Sequence, residues 1–284
     1  MVNTIGIIGA GTMGSGIAEV AAAARITVIL NDVSEQALAA GMARIKADLN
    51  RAVEKDRISA VAATEIYARI HPTAALDELR TAHVVIEAVL EDVQVKRDLF
   101  QKLDALLKPE ALLASNTSSL SITALAAATG RPAQVVGMHF FNPPPVMKLV
   151  EVVRGKYTSD ETVQIGVELA RRMGKTPVVC LDTPGFIVNR VARPFYGEAL
   201  RLLGERVASV EVIDRIVKEE GGFKMGPFEL MDLIGIDVNY AVTKSVYEQY
   251  FHEPRFRPHP IQRQMVEAGT LGRKTKKGFY TYET

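Results

Sequence analysis

The chain of 284 residues is too long for one ordinary hydrophobic core and long enough for two domains. Hydrophobic residues make up 48% of it and charged residues 24%, and a formal net charge of +1 argues against a nucleic-acid-binding protein. Cys180 is the single cysteine, which excludes an internal disulfide and a cysteine-based metal cluster; its apolar neighbours predict a buried, inert thiol.

The first predicted element is a buried strand over residues 4–8, and a helix over residues 13–24 follows it after a glycine-rich turn. In such a turn the first glycine permits the sharp bend, the second lets the backbone approach a pyrophosphate, and the third lets helix and strand pack closely. Unpaired N–H groups at the start of the helix favour an anion. The sequence therefore predicts a dinucleotide site, formed by Gly9, Ala10, Gly11, Thr12, Met13 and Gly14.

Asp32 closes the second predicted strand, over residues 26–32, and its position bears on which dinucleotide binds. A carboxylate at this point accepts hydrogen bonds from the ribose hydroxyls of the adenosine and repels a 2′-phosphate. Because no arginine follows directly, NAD is favoured over NADP. Asp32 can at the same time be the N-cap of a helix that starts near Ser34.

Short apolar runs alternate with helical patterns through the first two thirds of the chain. Two helical stretches, about 35–53 and 60–69, form an insertion after the second strand, and a further helix is predicted over 95–107. The remaining predicted strands cover residues 82–88, 112–115, 135–139, 148–153 and 178–181. Alternation of this kind predicts a mostly parallel, doubly wound sheet.

Beyond Asp182 the pattern becomes almost entirely helical, with helices predicted over 194–205, 210–219 and 225–250. We therefore expect an α/β fold: an N-terminal Rossmann-type doubly wound sheet with a helical insertion over residues 1–182, followed by an all-α C-terminal domain over 183–284. The crevice between the domains is the expected active site. A first strand close to Met1 and the lack of a long apolar stretch predict a cytoplasmic protein with no signal peptide and no membrane association.

Several motifs spread over the whole chain resemble the short-chain L-3-hydroxyacyl-CoA dehydrogenase family. They are Ser115-Asn116-Thr117-Ser118-Ser119-Leu120, His139-Phe140-Phe141-Asn142-Pro143, Val146-Met147-Lys148-Leu149-Val150-Glu151-Val152, Thr183-Pro184-Gly185-Phe186-Ile187-Val188-Asn189-Arg190, Met225-Gly226-Pro227-Phe228-Glu229-Leu230 and the stretch from Gly272 to Tyr280. The resemblance implies NAD-dependent oxidation of (S)-3-hydroxyacyl-CoA, or the reverse reduction, with short chains such as 3-hydroxybutyryl-CoA expected. It also implies a homodimer formed through the helical domain.

The resemblance also assigns roles to individual residues at matching positions. His139 would be the general base and Glu151 its partner, and Ser118 and Asn189 would contact the reacting end of the substrate. The residues implied to line the cofactor, besides Asp32 on its ribose, are Glu91, Lys96, Ser118, Asn142 and Lys274. Lys55, with Arg51 near it, would contact the coenzyme A moiety; from the pattern alone these basic residues could equally be a solvated helix face.

The chemistry of the residues supports these roles independently. Removing a hydride from a secondary alcohol requires the hydroxyl proton to leave, and histidine, with an ordinary pKa near physiological pH, suits that task. Strand, turn and strand between His139 and Glu151 could bring the two side by side, and a carboxylate there would fix the imidazole tautomer. Donors from Ser118 and Asn189 could hold the carbonyl oxygen. From spacing alone, a histidine after a strand is more often structural than catalytic.

Two other functions fit parts of the pattern. A different β-hydroxyacid dehydrogenase would share the two domain types, but such enzymes use a lysine on the first long helix of the second domain, where this chain has Asn189 and Arg190. A structural dinucleotide-binding protein resembling λ-crystallin is the other alternative. No histidine has cysteine or aspartate partners at ligand spacing, so no metal site is predicted.

Overall fold

The computed structural model describes residues 2–283. They divide into two compact units, the first ending at Thr183 and the second beginning at Pro184.

The first unit is built on one eight-stranded sheet. Its strands are β1 Thr4–Ile8, β2 Thr27–Asn31, β3 Ile70–Thr73, β4 Val84–Glu87, β5 Leu112–Ser115, β6 Val135–Phe140, β7 Leu149–Arg154 and β8 Thr176–Leu181. Their order across the sheet is β3-β2-β1-β4-β5-β6-β7-β8, and every neighbouring pair is parallel except β6 and β7. The strand order reverses between β1 and β4, which is the point where ligands bind in sheets of this type.

Six helices accompany this sheet: α1 Thr12–Ala23, α2 Glu35–Glu54, α3 Ala60–Ala68, α4 Val93–Leu106, α5 Ile122–Ala126 and α6 Asp160–Arg172. Five of them begin at a side chain that accepts a hydrogen bond from the first turn, and these caps are Ser34, Ser59, Asp92, Ser121 and Ser159. The α1 helix has Gly11 at this position instead, so no side chain occupies the space in front of its N-terminus.

The core of the first unit extends across the sheet, from β1 and β2 to β6 and β7. Ile5, Ile7 and Leu30 are completely buried, and the small side chains of Ala18 and Ala21 let α1 approach them closely. This packing fixes the height of α1 above the sheet and therefore the position of the turn that precedes it.

The second unit consists of the helices α7 Val188–Gly204, α8 Val210–Glu219, α9 Pro227–Ile234, α10 Ile236–Gln249 and α11 Pro260–Glu267, with one short 3₁₀ turn before α11 and another after it. Its core gathers one apolar face of each, with Leu200, Ile213, Phe228 and Ile236 among the buried side chains. No helix within residues 2–283 is both long enough and apolar enough to cross a membrane.

The fold class predicted from the sequence is confirmed, as a mostly parallel sheet followed by a helical domain. Several details of the predicted elements were wrong. The strand β3 was not predicted, because its sequence contains Pro72 and lies at the edge of the sheet, where a missing N–H is tolerated. One long helix was predicted over 225–250, but Gly235, with φ +100°, separates α9 from α10.

The apolar run around Cys180 was predicted to be buried and is not. It forms β8, the last strand of the sheet, and Val179 and Leu181 are 49% and 65% exposed. Cys180 itself is half-buried, and its burial, together with the carboxylates of Glu151 and Asp182, raises the pKa of the thiol to about 12. The thiol is therefore protonated at neutral pH, which agrees with the expected lack of reactivity.

Candidate active site

The glycine turn between β1 and α1 has the geometry expected of an anion site. Gly9 has φ +99°, and a Cβ at Gly14 would lie 1.7 Å from the carbonyl oxygen of Gly9. Both positions therefore need glycine for reasons internal to the fold. A Cβ at Gly11 would meet nothing within 4 Å, so the space in front of Gly11 is open to a ligand.

Asp32 lies beside this turn and is bonded to it. Its Oδ2 accepts the N–H of Ala10 at 2.8 Å, and its Oδ1 accepts the N–H of Ser34 at 3.0 Å. The N-cap of α2 is Ser34, whose hydroxyl accepts the N–H of Ala37, so the expectation that Asp32 is the cap was wrong. Each carboxylate oxygen can accept a second hydrogen bond, which leaves acceptor capacity for ribose hydroxyls.

A cavity of ≈ 620 Å³ begins at the glycine turn. Its lining includes Gly9, Gly11 and Asp32 on one side, and the apolar side chains of Leu90 and Val95 on the other. An acidic group beside an apolar wall matches the ribose and base of an adenosine.

A buried ion-pair network follows the carboxyl end of β4. Glu87 is completely buried, and its Oε1 accepts the ammonium of Lys96 at 2.7 Å while its Oε2 accepts the hydroxyl of Ser115 at 2.7 Å. Lys96, only 1% exposed, also lies 3.0 Å from Oε2 of Glu91. The buried ammonium of Lys96 is therefore paired with two carboxylates, and a buried charge needs such partners to offset the loss of its hydration.

Glu91 connects this network to the loop after β5. Its Oε1 accepts the hydroxyl of Thr117, the N–H of Ser118 at 3.1 Å and the hydroxyl of Ser119 at 3.2 Å. Partial burial opposes its ionisation, but Lys96 and the donors on the loop together lower the pKa of Glu91. The carboxylate thus holds the loop of Ser118 in place through charge-assisted hydrogen bonds.

His139 and Glu151 lie directly opposite each other on the antiparallel strands β6 and β7. Residues paired in this way have side chains on one face of the sheet. The Nδ1 atom of His139 is 2.7 Å from Oε2 of Glu151, and both residues are buried. Since an ionised carboxylate only accepts, this contact assigns the proton to Nδ1 and makes Nε2 the basic nitrogen.

Asn142 lies in the turn between these strands and is exposed, and its peptide bond to Pro143 is cis. The Phe141 ring packs 4.5 Å from the imidazole of His139, centroid to centroid. Asn116, on the loop after β5, accepts the N–H of Phe140 at 2.9 Å and so joins the two loops. Ser118, His139 and Asn142 therefore all follow, or lie at, the carboxyl ends of neighbouring strands β5 and β6.

The remaining predicted site residues belong to other elements. In the second unit, Asn189 is at the start of α7, and Lys274 forms an ion pair with both oxygens of Asp237 at 2.5 and 2.6 Å. In the first unit, Arg51 pairs with Asp48 at 3.0 Å and Lys55 is exposed at the end of α2. A cavity of ≈ 560 Å³ opens between α2 and α3, with Lys46 and Tyr67 in its lining.

Sequence reasoning did not single out Glu87 as part of this site. Glu87 had a signal that could have found it, because a carboxylate that ends a completely apolar strand needs a buried partner. Ser115 opens one of the motifs found in the sequence, but its hydrogen bond to Glu87 was not predictable, since a small polar residue at the end of a strand is common. Within residues 2–283, no group of three or more His, Cys, Asp or Glu side chains is arranged to hold a metal ion.

Comparison with known proteins gives a match for each unit. Residues 4–183 match the family model described as 3-hydroxyacyl-CoA dehydrogenase, NAD binding domain, and residues 185–282 match the model described as 3-hydroxyacyl-CoA dehydrogenase, C-terminal domain.

Individual relatives resemble the chain over its whole length. It is 47% identical over 277 residues to the probable 3-hydroxybutyryl-CoA dehydrogenase of Deinococcus radiodurans, covering 98% of this chain and 99% of that protein. It is 49% identical over 281 residues to the 3-hydroxyadipyl-CoA dehydrogenase of Escherichia coli, covering 99% of this chain but spanning only 59% of that protein. The crystal structure of (S)-3-hydroxybutyryl-CoA dehydrogenase from Ralstonia eutropha superposes with a TM-score of 0.96 at 41% identity, with full coverage of both chains.

Proposed function

Because this chain belongs to the 3-hydroxyacyl-CoA dehydrogenase family, we propose that it oxidises (S)-3-hydroxyacyl-CoA to 3-ketoacyl-CoA with NAD and also catalyses the reverse reduction. The full-length similarity to 3-hydroxybutyryl-CoA dehydrogenases favours the four-carbon substrate. The observation that carries the proposal is the buried His139–Glu151 pair. It lies on β6 and β7 of the same sheet whose strand β1 leads into the glycine turn of the NAD-binding domain.

The glycine turn fits the cofactor. The open space in front of Gly11 and the N–H groups at the start of α1 would receive the pyrophosphate, and Asp32 would accept hydrogen bonds from the adenosine ribose. NAD, when bound, supplies the hydride acceptor. In this proposal the rest of the NAD site is lined by Glu91, Lys96, Asn142 and Lys274. Because the ammonium of Lys96 is buried, Lys96 acts through its ion pair with Glu91.

His139 is the general base of the proposed reaction. Its Nε2 takes the proton from the oxygen of the substrate hydroxyl as the hydride leaves the carbon that bears this hydroxyl, and the positive charge that forms on the imidazole is stabilised by Glu151 at Nδ1. In the reverse direction the protonated imidazole returns that proton to the oxygen. Glu151 also prevents the ring from rotating to present the wrong nitrogen.

Ser118 and Asn189 are the proposed donors to the substrate oxygen. The loop of Ser118 is held by Glu91 through three hydrogen bonds, so its hydroxyl is presented from a rigid backbone. Arg51 and Lys55 would meet the phosphates of coenzyme A from the helical insertion. A homodimer through the second unit and a cytoplasmic location complete the proposal.

The test follows the oxidation of NADH by its absorbance, with acetoacetyl-CoA as substrate. Parallel reactions replace acetoacetyl-CoA with free acetoacetate or with 3-oxoadipyl-CoA, and a further reaction replaces NADH with NADPH. We expect fast turnover only in the reaction that contains acetoacetyl-CoA and NADH. In His139→Ala, we expect kcat to fall by about 10²–10⁴ while the dissociation constant of NADH is unchanged. His71→Ala, a change of the same residue type at an exposed position on β3, is the matched control.

Each other outcome has a defined meaning. Turnover of free acetoacetate alone would favour the other class of β-hydroxyacid dehydrogenase. NADH binding without turnover of any substrate would favour a structural dinucleotide-binding protein. Faster turnover of 3-oxoadipyl-CoA than of acetoacetyl-CoA would assign the longer, acidic acyl group.

A further inference from the structure

The turn between β6 and β7, residues 141–148, is poorly able to stabilise itself. Pro143, Pro144 and Pro145 have no N–H to donate, so carbonyl groups in this segment need donors from outside it. Within it, outside the strand ladder, the described residues show two backbone hydrogen bonds: the N–H groups of Val146 and Met147 both donate to the carbonyl of Pro143 at 3.0 Å. Such a turn requires an external support to keep one conformation.

Lys175, the residue before β8, provides two of the missing donors. Its ammonium donates to the carbonyl of Pro144 at 2.5 Å and to the carbonyl of Met147 at 2.9 Å. The next N–H along the chain, that of Thr176, donates to the carbonyl of Lys148 at 2.8 Å. Lys175 is 8% exposed, and burying a lysine ammonium is unfavourable unless it is hydrogen-bonded in this way.

The other side of the turn rests on the helix that follows the glycine motif. A Cβ at Gly16 would lie 2.8 Å from Cδ of Pro144, so α1 and the turn are in direct contact. Glu19, one helical turn further along α1, is buried and is close enough to Lys175 for its charge to act on that ammonium. The turn is therefore held between the cofactor helix on one side and Lys175 on the other.

We propose that Lys175 is a positioning residue, whose ammonium fixes the turn of residues 141–148 and thereby the place of Asn142 beside the cofactor. This inference rests on the proposed function for the role of Asn142, and on the hydrogen bonds alone for the fixing of the turn. His139 and Glu151 lie within the paired strands on either side, so their own contact does not depend on Lys175.

The fixing of the turn is tested without turnover, by amide hydrogen exchange of Val146 and Met147. Lys175→Met keeps most of the side-chain volume and removes the donors, so exchange at both amides should be about tenfold faster than in the unchanged protein. Lys148→Met removes a neighbouring ammonium that is exposed on the same turn and should leave both rates unchanged. Core amides of β1 report whether the whole fold has loosened.

The effect on Asn142 is tested by separating the kinetic constants for the two substrates. In Lys175→Met, we expect kcat to fall and the KM for NADH to rise, each by about tenfold, with the KM for acetoacetyl-CoA within about twofold. Lys175→Arg, which can still donate to two carbonyls, should recover most of both losses. A residue that only supported folding would not split the two KM values.

The proposal is overturned if Val146 and Met147 exchange at the same rate in Lys175→Met as in the unchanged protein, or if Lys148→Met has an equal effect. If Lys175→Met does not fold, Lys175→Gln takes its place, and equal exchange rates in the Gln, Arg and unchanged proteins overturn it as well. An unchanged protein that binds NADH but has no activity would reject the proposed function, and the exchange rates would still decide whether Lys175 holds the turn.

Discussion

At the scale of single residues, Glu19 is a carboxyl group that folding places where ionisation is unfavourable. Burial is the main cause, the nearby charge of Asp48 adds to it, and Lys175 opposes both; together they raise the pKa of Glu19 from 4.5 to about 7. Its Oε2 has no hydrogen-bond partner among the described residues. The folded chain therefore keeps a proton on Glu19 at a pH where the unfolded chain has lost it.

This difference predicts how stability depends on pH. Glu19 is protonated in both states below pH 4.5, and the unfolded state alone loses its proton between there and about pH 7. The free energy of unfolding should therefore fall by about 3 kcal/mol over that range, at about 1.4 kcal/mol per pKa unit. In Glu19→Gln this decrease should disappear, as measured by urea unfolding at pH 4.5, 6 and 8.

Glu65→Gln is the matched control for this measurement, because Glu65 is an exposed carboxylate on α3 that pairs with Arg69. It should keep the pH dependence of the unchanged protein. If Glu19→Gln and Glu65→Gln have the same pH dependence, Glu19 is not the group responsible.

Single residues also differ in how well the sequence could predict them. The contact between His139 and Glu151 was predictable, because both stand out as polar residues on apolar strands and the spacing allows strand, turn and strand between them. Lys175 was not predictable, because its partners are backbone carbonyl groups, which carry no sequence signal. Glu91 and Lys96 were predicted as cofactor residues, but the ion pairs of Lys96 with Glu87 and Glu91 depend on how β4 and α4 pack.

At the scale of elements, Gly11 and Gly14 in the turn between β1 and α1 are glycine for different physical reasons. Gly14 is needed by the fold itself, since a Cβ there would overlap the carbonyl of Gly9. Gly11 has φ −67°, which any residue can adopt, and open space around it. The fold itself therefore does not require glycine at position 11, and we propose that a ligand does.

Substitution separates these two reasons. Gly14→Ala should lower the free energy of unfolding by roughly 2–3 kcal/mol, since α1 must move to relieve the overlap. Gly11→Ala should leave stability within about 0.5 kcal/mol but weaken NADH binding by about tenfold or more, because the methyl group occupies the ligand's space. Urea unfolding and NADH fluorescence titration measure the two effects. Equal loss of stability in both variants would contradict this assignment.

There is a physical reason why the sequence predicted some elements and missed others. Strands inside the sheet, such as β1 and β4, are continuous apolar runs and were predicted correctly. The edge strand β3 has only Ile70 and Thr73 buried, so its pattern is too short to recognise. The α7 helix begins at Val188, before the predicted 194, because Pro194 is tolerated inside it and does not mark its start.

At the scale of the whole molecule, the second unit has many exposed apolar side chains. Val191, Val207, Ile216 and Phe251 are each more than half exposed, on helices or the loops that follow them. Phe223, also more than half exposed, stacks on Phe195 with 5.2 Å between the ring centroids. Exposed apolar side chains such as these are what a contact between protein subunits would cover.

We therefore expect the protein to sediment at twice the 31.0 kDa mass of one chain. On dilution below the dissociation constant, amide exchange should become faster in peptides from residues 184–283 and stay unchanged in those from 2–183, because only the helical surface becomes exposed. Sedimentation equilibrium and hydrogen exchange at two protein concentrations measure this. A mass of one chain at all concentrations, or a change confined to residues 2–183, would contradict a dimer formed through the second unit.

The His139–Glu151 pair is determined by the register of β6 and β7, and the turn that joins these strands does not set it. Since side chains alternate between the two faces, one inserted residue within either strand would send one partner to the opposite face, whereas residues added to the turn would leave the pair intact. The proposed chemistry and the proposed cofactor contact of this segment can therefore diverge independently in descent: the turn can change in length and composition while the strands keep His139 opposite Glu151.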